Sequence, residues 1–212
     1  MQFFSYLING ISLGSVYALI ALGYTMVYGI AKMLNFAHGD VIMIGSYVVY
    51  FAFGASGLNP VLSIVLSMIV CTILGVVIER LAYRPLREAP SLAVLITAIG
   101  VSYLLQQVAQ LSWSSNPKSF TSVVSGMKPV SLFGGQLTIS AETIVTIVAC
   151  VVIMVVLMWF VNYTPAGHAM LAVSEDRGAA QLMGVNVNGT ISLTFAIVAK
   201  AEAVSPSRIK RK

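Results

Sequence analysis

Asn35, His38 and Asp40 stand together between two stretches without a single charged side chain, residues 1–31 and 41–78. An amide, an imidazole and a carboxylate so close together could hold a zwitterionic ligand, relay a proton or tie helices to one another. Gly39 within the cluster and Gly29 before it allow the backbone to leave a helix there. Lipid would make such groups costly, so the pattern predicts a broken segment that lines a cavity and points half-helix ends at a ligand. The alternative is a solvated turn in which Asp40 caps the next helix and pairs with Lys32. His38 decides between them in neither direction, because a lone histidine is more often structural than a ligand or relay.

Other chemistry is excluded more firmly. No Gly-x-x-x-x-Gly-Lys-Ser/Thr loop is present to cradle phosphates, so the chain is not expected to hydrolyse ATP unaided and must draw its energy from a partner. His38 and His168 are far apart, and the seven carboxylates lie mostly at the borders of apolar runs, which leaves no credible Ser-His-Asp or metal constellation. Cys71 and Cys150 sit inside apolar runs, without the spacing of a zinc site or disulfide framework, and are read as packing residues. No enzyme activity, cofactor or metal is expected.

The elements that must carry the polar cluster are membrane helices. Hydrophobic residues make up 58% of the chain, charged residues 9%, and the mean hydropathy is +0.91. That composition suits an all-α, polytopic transmembrane bundle of about five full spans plus a partial sixth. The expected spans are residues 3–30, 41–53, 61–78, 89–111 and 141–161. The last is rich in Val and Ile but too long for a strand. In the first, Gly10, Gly14 and Ala18 recur every four residues, followed by Leu22, as a seam for close helix packing. The N-terminal run lacks a basic n-region and an evident cleavage site, so it is expected to be retained.

Gly57, Asn59 and Pro60 break the chain between spans two and three. Residues 112–140 form the longest polar stretch, in which 129–133 and 136–139 flank Gly134-Gly135 as a hairpin would. A net charge of +5 would suggest nucleic acid in a soluble protein, but here the basic residues sit between apolar runs and set topology instead. Arg80, Arg84 and Arg87 follow span three and Arg177 follows span five. Both loops are therefore read as cytoplasmic, with Met1 and the 112–140 loop outside; Lys118 and Lys128 oppose this weakly.

Two stretches carry a family resemblance. Residues 29–47 read GIAKMLNFAHGDVIMIGSY, and the later stretch reads TPAGHAM from Thr164, then EDRGAAQLMGVN from Glu175. In this order they resemble the membrane-spanning permease of bacterial branched-chain amino-acid ABC transporters, over residues 1 to about 197. The resemblance implies a multi-pass protein of the bacterial inner membrane, with ABC ATPase subunits, a second permease subunit and a periplasmic amino-acid-binding protein as partners. It makes Asn35, His38, Gly39 and Asp40 candidates for the substrate path. It also makes the second stretch a coupling loop whose short helix enters a cleft on the ATPase. There Gly178-Ala179-Ala180-x-x-x-Gly184 is similar to the family's Glu-Ala-Ala-x-x-x-Gly core, with glycine in place of the leading glutamate. Ala179, Ala180 and Gly184 would allow close docking, with Glu175, Asp176 and Arg177 making polar contacts around them.

The chain's last part departs from the pattern. Residues 191–197 should open another span, but Lys200, Glu202, Arg208, Lys210, Arg211 and Lys212 follow after too few apolar positions to cross. Residues 1–199 are thus read as an incomplete permease domain and 200–212 as a basic tail, the whole as a truncated form. The function expected is import of leucine, isoleucine or valine driven by a partner's ATP. An ion-gradient-driven carrier or channel, which would favour acidic or histidine residues buried in the spans, and a nonfunctional truncated membrane scaffold are the competing readings.

Overall fold

Without water to satisfy it, an apolar segment closes its own backbone hydrogen bonds only by becoming helical. The uncharged runs do so here. The protein is described by a computed structural model over residues 2–87, 89–114, 116, 130–132, 137–139 and 141–203. Its helices are α1 (Gln2–Ala31), α2 (His38–Val49), α3 (Pro60–Ile78), α4 (Ser91–Trp113), α5 (Ala141–Tyr163), α6 (Pro165–Glu175), α7 (Arg177–Leu182) and α8 (Val187–Glu202). They form an all-α polytopic bundle.

Among the described residues, four helical segments are long and apolar enough to cross a membrane: Tyr6–Ala31, Pro60–Leu86, Ser91–Trp113 and Thr143–Tyr163. The expected second span, residues 41–53, is not among these four. Residues 41–53 fall in α2, which has 12 residues and continues through a wider π-type turn over Tyr50–Ala55. The expected partial sixth span is α8, a 16-residue apolar helix.

The basic loop expected after span three is mostly helix. A π-type stretch, Glu79–Tyr83, and a 3-10 turn, Arg84–Leu86, carry the helical path on from α3. As a result Glu79 and Tyr83 are buried in the bundle rather than solvated.

The core gathers around α8. Ile191, Phe195, Val198 and Ala199 are buried with Val27 and Ala31 of α1 and Cys71 and Ile78 of α3, while Met170, Val173 and Ala180 close the same cluster from α6 and α7. Gly75 lets α3 and α8 approach: a Cβ there would lie 3.0 Å from the Ala199 Cβ and 3.3 Å from the Phe195 carbonyl oxygen. Gly10, Gly14 and Ala18, in contrast, are exposed on α1, and a Cβ at either glycine would meet nothing within 4 Å. That stripe packs no helix of the described chain. The exposed faces of the other helices are apolar as well, among them Ile69 and Ile73 of α3 and Val155 and Trp159 of α5, as suits contact with lipid.

The expected hairpin is present. Strands β1 (Val130–Leu132) and β2 (Leu137–Ile139) pair antiparallel with Val130 opposite Ile139. Its Gly134-Gly135 turn and residues 204–212 of the basic tail lie outside the described residues.

Candidate functional site

The chain leaves α1 at Lys32, where φ is +51°, a left-handed conformation uncommon for residues other than glycine. Gly29 stays in α1 and Gly39 in α2, so neither expected glycine makes the break. From Lys32 the backbone turns back along α1. His38 Nε2 lies 3.3 Å from the Ile20 carbonyl oxygen, and its ring meets Tyr24 edge-on at 5.9 Å. At 1.5 Å per residue, Ile20 is about 16 Å along the helix from Ala31. Helix α2 therefore begins deep in the bundle.

Within this re-entrant segment Asn35, His38 and Asp40 are buried, whereas Gly39 is exposed. The Tyr83 hydroxyl donates to Asn35 Oδ1 at 2.7 Å. Asp40 accepts from the Ser102 hydroxyl and, at 3.0 Å, from Gln106 Nε2, both on α4. The solvated turn is thereby overturned: the N-cap of α2 is Ala37, without a side-chain bond, and Asp40 faces α4 rather than Lys32. Packing is close here. A void of about 10 Å³ lined by Val27, Asn35, His38 and Phe195 has room for roughly one water.

A second buried polar group lies nearby in the fold. Glu79 is fully buried, pairs with Arg87 and accepts from the Ser192 hydroxyl of α8 at 2.5 Å. Arg87 also donates to Asn188 Oδ1. Burial pulls the Arg87 guanidinium below its ordinary pKa, and the neighbouring Glu79 carboxylate acts against that. The sequence reading named none of Glu79, Tyr83, Ser102, Gln106 or Ser192 as site residues. Ser102 and Gln106 carried a usable signal, being polar residues four apart on one face of an apolar helix. Glu79 was hidden by its place in a stretch that reads as a loop.

The second motif folds as two short helices. Thr164 Oγ1 accepts from the Gly167 amide at 3.0 Å to cap α6, and Asp176 Oδ1 accepts from the amides of Gly178 and Ala179 to cap α7. Gly184, at φ +86°, turns the chain out of α7. Arg177 donates to the carbonyl oxygen of Ala31 at the end of α1. Glu175, Asp176, Ala179 and Gly184 are exposed, but Ala180 belongs to the core. Within this chain the Ala180 side chain is packed in the core cluster, 4% exposed. The apolar residues most open at this tip are Leu182, 90% exposed, and Met183, 84% exposed.

The sequence that forms this bundle matches a known family. The model of the branched-chain amino acid transport system permease component matches residues 6–201. The chain belongs to this family. The permease is 42% identical over 211 residues to the high-affinity branched-chain amino acid transport system permease protein BraD of Pseudomonas aeruginosa, a match spanning 94% of this chain and 68% of that protein. It is 39% identical over 216 residues to the corresponding protein LivH of Salmonella typhimurium, spanning 97% and 70%. LivH of Escherichia coli is 38% identical over the same shares. No solved structure matches the permease.

Proposed function

We propose that this permease is the membrane subunit of an ATP-driven importer of leucine, isoleucine or valine in a bacterial inner membrane. Its partners would be ABC ATPase subunits, a second permease subunit and a periplasmic amino-acid-binding protein. The observation that carries this reading is the buried polar break at residues 32–40, set in a chain whose relatives are named branched-chain amino acid transport system permease proteins. Asn35, His38 and Asp40 support the substrate path there, and the apolar helix faces around them suit an aliphatic side chain. Such faces discriminate weakly, since one methylene is worth only about 1–3 kcal/mol.

In the mechanism that follows, ATP binding closes the ATPase pair against α7. Leu182 and Met183 supply the exposed apolar contact, with Ala179 and Gly184 beside them. Movement of α7 reaches the break through Arg177, which holds the Ala31 carbonyl one residue before the backbone turns. The re-entrant segment then shifts against α4, and the path alternates its opening.

The test is uptake into proteoliposomes holding the permease with its partner subunits and binding protein. Labelled leucine should enter only with ATP. Leu182→Asp should cut ATPase co-purification and uptake at least about tenfold, while thermal unfolding stays unchanged because the side chain is exposed. An ion-gradient-driven carrier is the second reading, favoured by Asp40, a buried carboxylate that no described cation pairs with. Uptake that follows an imposed proton gradient and ignores ATP would support it instead.

A further inference from the structure

Three cationic side chains from three different connections converge on one cavity. Lys32 follows α1, Arg87 follows the extension of α3, and Arg177 begins α7; all three line a space of about 260 Å³ together with Tyr28, Ser91 and Val94. Among the described residues, no Asp or Glu lines it. Glu79 offsets one of the three charges, but it contacts Arg87 from within the fully buried core. Among the described residues, that leaves a surplus of two positive charges facing one half-open space.

The geometry points to a binding site for a phosphate-bearing anion, either the headgroup of an anionic lipid or free phosphate. Like charges gathered around one space repel, and an anion between them removes that cost. Lys32 is held in place by a left-handed backbone, and Arg177 spends one of its five donors on the Ala31 carbonyl, leaving others for a ligand. Ser91 and Ala89 bring the start of the 23-residue α4 to the same wall; its N-cap, Pro90, makes no side-chain bond, so the first amides add their partial positive charge. Guanidinium groups match phosphate oxygens in pairs, and basic pockets between membrane helices at one membrane face suit lipid phosphates. Arg87 and Arg177 also line an adjoining cavity of about 410 Å³ walled by Gln181, Asn186 and Asn188, so an anion held by these arginines would bear on the α7–α8 connection as well.

Capping of α1 by Lys32 and Arg177 is the competing account, because cations at a helix C-terminus are favourable without any ligand. Native mass spectrometry and thermal unfolding of the detergent-purified chain separate the two. Expected is retention of phosphatidylglycerol over phosphatidylcholine, or a rise in unfolding temperature with inorganic phosphate that an equal concentration of chloride does not give. The first result assigns the site to a lipid headgroup and the second to free phosphate. Lys32→Gln with Arg177→Gln should weaken the retained anion at least about tenfold, whereas Lys32→Arg with Arg177→Lys should keep it. If the unsubstituted chain prefers neither probe, the proposal is overturned, whether or not the variants fold. Equal binding by the glutamine variant overturns it too.

Discussion

Arg177, the first residue of α7, donates to the carbonyl oxygen of Ala31, the last residue of α1. That bond joins the two motifs the sequence kept 146 positions apart, and it satisfies an acceptor that the end of α1 would otherwise leave open. Arg177→Met keeps much of the side-chain length and removes the donor. ATPase subunits should still co-purify, while ATP-driven leucine uptake falls about tenfold, in line with a lost charge-assisted bond. Uptake at the original rate would sever α7 from the break.

Asn35 and Tyr83 form a buried pair at 2.7 Å. Asn35→Ala strands the Tyr83 hydroxyl and should cost about 1–3 kcal/mol of stability. Tyr83→Phe together with Asn35→Ala should recover part of that loss. A thermal-unfolding double-mutant cycle with no coupling would mean that the bond contributes nothing.

Asp40 is expected to serve transport more than folding. Asp40→Asn keeps the shape and one acceptor for Ser102 or Gln106, so insertion and unfolding should change little, while uptake falls. Parallel loss of membrane-inserted protein and uptake would make Asp40 purely structural.

The pair of Glu79 and Arg87 is expected to be costly to break from one side only. Arg87→Met leaves a fully buried carboxylate unpaired and should destabilise by about 3–5 kcal/mol, whereas adding Glu79→Gln should restore much of it. The measurement is chemical unfolding in detergent. A double variant as unstable as Arg87→Met alone would contradict the pairing.

Gly75→Leu should push α3 from α8, because the space beside it is closed by Ala199 and the Phe195 backbone. A loss of about 1–3 kcal/mol is expected. Gly10→Leu on the open face of α1 should cost far less in the isolated chain.

What the sequence determined by itself was the solvent and, through it, the class. Charge-free runs can satisfy their backbones in lipid only as helices, so the positions of α1, α3, α4 and α5 follow closely from composition and length. Asn35, His38 and Asp40 were legible as a site because polar groups between such runs need partners. Which partners they have was decided only by the tertiary structure. Tyr83, Ser102 and Gln106 reach them from helices 48 to 66 positions away, and such distances are set by packing rather than by local pattern. The same holds for Glu79, whose charge reads as a loop until the continuing helix carries it inward to Arg87 and Ser192. Ala180 makes the point in reverse: its small size suits docking or burial equally, and only the tertiary packing places it in the core cluster.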